Sequence, residues 1–200
     1  MTETTIQTTV DQRPDVFTQA EIGWTPWLRP LGEEELTERH WAGLVDASRS
    51  KSSYFMLLAR DPEILEARTK TDKDIFYNTK SGLPRAEREL SATAASRYNG
   101  CIFCASVHSR FASHHSKRTE DVQRLLDEGI EADLGSRWNA VVSASVALTS
   151  TPSIFGQTEI ERLRAEGLDD LEIADVIHGA AFFNWANRLM LSLGEPTPAA

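Results

Sequence analysis

Helix punctuation constrains this chain more than any other feature. Apolar residues recur at three- and four-residue steps between Gly, Pro and Asn-Gly stops, and no segment sustains a two-residue alternation bounded by hairpin turns. Leu36, His40, Leu44 and Val45 form a first stripe, and Ser53 to Arg60 is a short apolar stretch ended by Asp61-Pro62. Pro62 suits the first turn of a helix whose apolar positions are Ile64, Leu65, Ile75 and Phe76. After Gly82, Pro84 opens a helix through Glu89, Leu90 and Ala94 to Tyr98, stopped by Asn99-Gly100. The next runs from about Cys101 to His115, and Thr119 is placed to cap a segment ending at Gly129. Ser136 to Thr149 is rich in Ala and Val, as a helix buried nearly all round would be. A further segment ends at Gly167, and Asp169 or Asp170 caps a last helix to Leu193, closed by Gly194 and Pro196. The chain reads as all-α.

The expected organisation is an N-terminal extension over residues 1–31, a helical domain over 32–194 and a tail over 195–200. Met1 to about Thr18 lacks apolar periodicity and reads as a flexible arm. Gly23 to Leu31, with two Trp and two Pro, reads as an extended segment whose rings pack on its own domain or on another subunit. A shift of 85 positions superposes Gly82-Leu83 on Gly167-Leu168, Glu87 on Glu172, Ala95 on Ala180 and Asn99 on Asn184. This echo reads as a duplicated helical hairpin, of which the first copy alone carries cysteines.

Composition excludes several functions. The formal net charge of −9 disfavours contact with a phosphate backbone, so nucleic acid is not an expected partner. The longest uninterrupted apolar run, Tyr54 to Ala59, is far below the ~20 residues that span a bilayer. The first twenty residues hold no apolar core of a secretory signal, so a cytoplasmic location is expected. The two cysteines, Cys101 and Cys104, cannot staple a 200-residue chain. A C-x-x-C pair in that setting points to redox or metal chemistry.

The chemistry concentrates in ERELSATAASRYNGCIFCASVHSRFASHH. Cys101, Cys104 and His108 follow at three and four residues, which places them on one face of one helix. Glu89 lies on the preceding helix, and a tight turn at Asn99-Gly100 folds that helix back alongside. A free thiol ionises near pH ~8.5, so it needs help to be nucleophilic at neutral pH. Three groups offer it: the helix N-terminus at Cys101, the imidazole of His108 one turn beyond Cys104, and Glu89 orienting that imidazole. By the dipole alone, Cys101 is the more acidic thiol. Two adjacent thiols then permit attack by one sulfur and closure by the other.

Structural zinc is the main rival, since Cys, His and Glu are all permitted ligands. Cys101 and His108 lie about 10.5 Å apart along a continuous helix, which opposes a shared tetrahedral ion. His115 shares the stripe of His108, but His114 and His115 at a helix C-terminus more often complement the dipole or face solvent. Arg110, Lys117 and Arg118 form a basic cluster for an anionic substrate or partner, against the simpler reading of a solvated helix end.

The combined spacing Glu-x(11)-Cys-x-x-Cys-x-x-x-His, after a Leu-Pro-x-x-x-Arg-Glu-Leu lead-in, resembles the AhpD-like alkylhydroperoxidases of the carboxymuconolactone decarboxylase superfamily. The resemblance covers roughly Leu57 to Gly194 and includes the closing FFNWANRLMLSLG with its Asn187-Arg188 pair. It implies an all-helical bundle that assembles as a homo-oligomer, trimer or hexamer, without haem, flavin or bound metal. It implies hydroperoxide reduction with Cys104 as the peroxidatic sulfur, Cys101 as the resolving one, and Glu89 with His108 as the proton relay. An external dithiol or protein would be the reductant. Some members carry a second His directly before the later cysteine, where this chain has Phe103. Most of the decarboxylase branch lacks the redox pair. Two other functions stay open from the residues: a dithiol oxidoreductase or redox sensor acting on a protein partner, and a zinc-binding structural module.

Overall fold

The computed structural model describes residues 14–78 and 80–199. Among them run β1 (Gly23–Pro26), α1 (Glu38–Leu44), α2 (Ser53–Leu58), α3 (Pro62–Tyr77), α4 (Arg85–Tyr98), α5 (Ile102–Ser116), α6 (Thr119–Glu128), α7 (Ser136–Thr149), α8 (Gln157–Ala165), α9 (Asp170–Leu193) and β2 (Gly194–Thr197). The fold is all-α, with one small antiparallel β1–β2 pair in which Trp24 faces Pro196. The described residues contain no helix long and apolar enough to cross a membrane.

Local chemistry explains most boundaries. Asp61 Oδ1 accepts from Ile64 N ahead of Pro62, which starts α3. Asp169 and Glu172 cap each other at the start of α9. Gly82, Gly100 and Gly167 all take positive φ, where a helix begins or ends. Some expected details differ. Val45 has φ 63° and is exposed beyond the end of α1, so the first stripe stops at Leu44. Ile64 faces outward, while Leu65, Ile75 and Phe76 are buried. Arg118 occupies the N-cap position of α6, and Thr119 is its first helical residue without a side-chain cap.

α4 is the central element and packs on α5, α7 and α9. Its residues Glu87 to Ser96 are all buried, although six of the ten are polar. Small side chains make this possible. Ser145 Oγ of α7 donates to Ser91 Oγ at 3.0 Å, and Ser91 Oγ donates to Val176 O of α9 at 3.0 Å. Gly179 of α9 sits against Ser91, where even a Cβ would approach its Oγ to 3.1 Å. No residue of α7 after Ser136 is exposed, in keeping with its apolar composition. The main core gathers Leu90, Leu125, Trp138, Val141, Leu163 and Val176, and a second cluster holds Phe76, Cys101, Cys104 and Phe183.

Residues matched by the 85-residue shift meet in the fold. Asn99 Nδ2 donates to Asn184 Oδ1 at 3.2 Å, and Arg137 bridges the matched pair Glu87 and Glu172. The second copy does not bend at its Asn, however: α9 continues unbroken to Leu193, because nothing after Asn184 plays the part of Gly100.

The extended N-terminal segment packs on its own chain. The Trp24 ring meets the Tyr54 ring edge-on at 5.7 Å, while Trp27 stays exposed. Of the arm expected to be flexible, residues 1–13 lie outside the described residues. Its remainder is docked: Phe17 lies under the Arg97 guanidinium at 4.3 Å, and Gln19 Nε2 donates to Thr119 O and Gln123 Oε1.

Candidate active site

The site is built across the α4–α5 turn. Cys101 N donates to Ser96 O at 2.9 Å, a six-to-one bond that closes α4 while Gly100 takes φ 77°. The chain reverses there, so Glu89 of α4 comes level with His108 of α5. His108 Nδ1 and Glu89 Oε2 are 2.5 Å apart. Glu89 Oε1 accepts from Arg85 Nε at 2.6 Å and Nη2 at 2.5 Å. With 1 % exposure, Glu89 is tolerated as a carboxylate because charge-assisted bonds occupy both oxygens. The His108 ring is held edge-on by Phe183 at 4.0 Å and flanked by Phe76 at 5.3 Å. With Nδ1 committed to the carboxylate, Nε2 is the nitrogen left to exchange protons.

Cys101 is the N-cap residue of α5, and Cys104 lies one turn along. Both are buried free thiols, with their sulfurs 2.8 Å apart. Such closeness makes their ionisation mutually exclusive. The hydrogen bond between the two sulfurs lowers the Cys101 pKa against the cost of burial; the Cys104 N–H and the Asn187 side chain help. Burial, then the same hydrogen bond and the Cys101 charge, push the Cys104 thiol well up. The first proton therefore leaves Cys101. Asn187 is fully buried and is fixed by Asn99 Nδ2 at 3.1 Å and by its own donation to Ser96 Oγ at 3.0 Å.

A pocket of about 320 Å³ opens onto this chemistry. Cys104, His108 and Glu89 line it, and Cys101 does not. Its wall is rich in aromatic rings: Phe55, Phe76, Tyr77, Phe103, Phe111 and Phe183, together with Tyr54. Phe103 thus stands in the wall where some relatives of the resembled family carry an imidazole.

Of the four sequence-derived residues, the structure pairs Glu89 with His108 and Cys101 with Cys104, and it places Glu89, Cys104 and His108 on one pocket wall. Sequence reasoning did not single out Arg85, Arg68 or Tyr54, nor the part of Asn187. Arg85 had a signal, lying four residues before Glu89 on the same helix. Tyr54 and Arg68 had none, since they come from α2 and α3. His114 and His115 lie edge to face at 5.0 Å, exposed and outside this pocket. Of the basic cluster, Arg110 donates to Ala20 O, while Arg118 pairs with Asp121 and stacks over Trp138 at 3.7 Å. Among the described residues, no three His, Cys, Asp or Glu side chains are grouped to hold a metal ion, so the zinc reading has no ligand set there.

The all-helical bundle with its thiol pair at a helix start is similar to known proteins. Residues 62–147 match the carboxymuconolactone decarboxylase family, and the chain has the AhpD-like fold. A peroxidase-related protein from Ralstonia eutropha JMP134, described as an alkylhydroperoxidase AhpD core, superposes with a TM-score of 0.70 at 20 % identity, covering 84 % of this chain and 89 % of that one. A peroxidase-related protein from Silicibacter sp. TM1040 gives the same TM-score at 22 % identity, with 84 % and 88 % covered. The debrominase Bmp8 superposes at 0.67 with 14 % identity over 84 % and 90 % of the two chains. In sequence, Bacillus subtilis (strain 168) YdfG is 29 % identical over 122 residues, 60 % of this chain and 81 % of its own.

Proposed function

We propose that the protein is a thiol-dependent reductase of organic hydroperoxides. The observation that carries this reading is the 2.5 Å Glu89–His108 contact beside Cys104, the one sulfur of the pair that lines an aromatic pocket. A pocket of about 320 Å³ is far larger than hydrogen peroxide needs and matches a substituted aromatic or branched alkyl hydroperoxide.

In the resting pair, Cys104 holds its proton. Substrate entry calls on His108 Nε2 as the base that takes it, with Glu89 accepting from Nδ1 and stabilising the imidazolium. The Cys104 thiolate attacks the terminal peroxide oxygen, the O–O bond breaks, and the imidazolium returns the proton to the departing alkoxide. The products are an alcohol and a Cys104 sulfenic acid. Cys101, already the more acidic thiol, attacks that sulfur and expels hydroxide, which takes a proton to leave as water. The two electrons come from the thiol pair, and an external dithiol or protein thiol restores them by exchange with the Cys101–Cys104 disulfide. The partners of this reading are thus a hydroperoxide, a dithiol reductant and further copies of the chain in a trimer or hexamer.

The debrominase likeness favours a second reading on the same pocket. Bmp8 is also known as a Cys-to-Ala variant in complex with 2,3,4-tribromopyrrole. A thiol pair in an aromatic-walled pocket would reduce a soft halogenated ring with the same electron count.

Stopped-flow thiol oxidation by cumene hydroperoxide separates the possibilities. Cys104→Ser should abolish turnover and His108→Ala should slow it by about 10²-fold. Full activity in either variant would remove the mechanism. Release of bromide from a bromopyrrole, with no reaction toward hydroperoxides, would favour the second reading.

A further inference from the structure

Two donors in the wall of the Cys104 pocket have no acceptor in hydrogen-bond geometry, although the Arg68 guanidinium lies close enough to the Tyr54 phenol to act on its pKa. Among the described residues, the buried side-chain polar atoms without a hydrogen-bond partner are Tyr54 Oη, Arg68 Nε and Thr69 Oγ1. Tyr54 and Arg68 line the pocket, and Thr69 does not. Tyr54 is 8 % exposed and the Arg68 side chain 7 %. A buried phenol or guanidinium N–H without an acceptor is rare in native proteins, and a ligand that supplies the acceptor accounts for it.

The rest of the wall describes that ligand. Arg68 is held in place by rings, with its guanidinium carbon 5.3 Å from the Phe182 centroid, 5.5 Å from Phe55 and 5.9 Å from Tyr54. Its Nη1 meets Asp72 at 3.2 Å, and Nε is left over. Arginine offers donors only, and burial raises the Tyr54 phenol to about 12, so it too keeps its proton. The pocket's lining carries Arg49, Arg68 and Arg85 against Asp72 and Glu89, one net positive charge in a chain of −9. Arg85 is taken by Glu89, and Arg49 donates to Leu44 O. Arg68 meets Asp72 through Nη1 alone, so its buried Nε is the donor in this wall still open to an anion, and a planar guanidinium edge suits a carboxylate. The aromatic walls ask for an apolar body.

We propose that Tyr54 and Arg68 form a carboxylate subsite, so that the molecule reduced at Cys104 is an apolar hydroperoxide bearing a carboxylate. The substrate half of this inference rests on the hydroperoxide reading above; the subsite itself does not. The test compares cumene hydroperoxide with 4-carboxycumene hydroperoxide, which differ only in the carboxylate, as oxidants of the reduced full-length protein. Wild type should favour the carboxylate by roughly 10–100-fold in second-order rate constant, and Tyr54→Phe and Arg68→Gln should each shrink that ratio about tenfold. Arg68→Lys should retain part of it. A wild-type ratio near one, or a ratio that survives in both Tyr54→Phe and Arg68→Gln, overturns the subsite. Calorimetric binding of the inert 4-isopropylbenzoate supplies the second arm. If neither hydroperoxide oxidises the thiols, the peroxidase reading fails, while 4-isopropylbenzoate binding that weakens about tenfold in Arg68→Gln still supports the subsite. Equal binding in both proteins, or none, overturns it, whatever the peroxidase result. Melting curves on Tyr54→Phe, which removes a single atom, show that lost discrimination is not lost folding.

Discussion

At the scale of single residues, the site depends on a carboxylate that has no contact with bulk water. Glu89 satisfies Arg85 and His108 together, and neither has a second acceptor among the hydrogen bonds of the site. Glu89→Ala leaves a half-buried guanidinium and a half-buried imidazole without their acceptor. The expected cost is about 3–5 kcal/mol of unfolding free energy, read by urea denaturation, with thiol oxidation slowed about 10²-fold as the relay is lost. Tyr54 gives a pH signature of its own. Its folded pKa of about 12 exceeds the ordinary value of 10.0, chiefly through burial. Between pH 10 and 12 the unfolded chain releases this proton while the folded one retains it. Stability present below pH 10 is therefore lost as pH rises, by up to about 3 kcal/mol at the upper end. Comparison of alkaline denaturation in wild type and Tyr54→Phe isolates that contribution, and the variant should lose less stability across this window.

At the scale of elements, two glycines with nearly the same φ do different work. Gly100 has φ 77° and a Cβ added there would meet nothing within 4 Å; Gly82 has φ 87° and its Cβ would lie 2.2 Å from Asp175 Oδ2. That oxygen accepts from Leu83 N at 2.8 Å and pairs with Arg88 at 3.1 Å. Arg88 in turn donates to the carbonyls of Ile75, Asn78, Ser81 and Leu83, tying the α3–α4 connection to α9. Gly100→Ala should cost only the left-handed backbone penalty of about 1–2 kcal/mol. Gly82→Ala should cost that and also dislodge the Asp175–Arg88 knot, roughly doubling the loss. Chemical denaturation midpoints of the two variants check the order. The helix limits around both glycines were legible in sequence, because Gly and Pro act locally on φ. The Arg88 knot was not, since each of its acceptors is a backbone carbonyl with no residue-type signature.

At the scale of the whole molecule, the two ends of the described chain clasp each other. β1 pairs with β2, and Trp24 joins this clasp to Tyr54 and so to the pocket wall. Gly194 has extended backbone at φ −179°, so conformation does not require a glycine. Close approach does: a Cβ would lie 2.3 Å from Trp24 Cζ2 and 2.4 Å from Thr25 O. Gly194→Val should part the strands at a cost of about 1–3 kcal/mol, lowering Tm by roughly 2–10 °C. Differential scanning calorimetry reads the shift. A loss of the same size on deletion of residues 194–200 would tie it to the clasp.

The sequence by itself determined the helical class, nearly every helix limit, and the shared face of Cys101, Cys104 and His108. Those follow from 3.6 residues per turn and from the dihedral habits of Gly, Pro and capping side chains, which act within a few positions. The Glu89–His108 approach was also legible, because one tight turn at Gly100 leaves two consecutive helices few ways to lie. Only the tertiary structure decided that Cys104 and not Cys101 faces the pocket, and that Tyr54 and Arg68 complete its wall. These residues reach it from α2, α3 and α5, and their meeting depends on how the helices pack around the small side chains of α4. No spacing within a single segment records that packing.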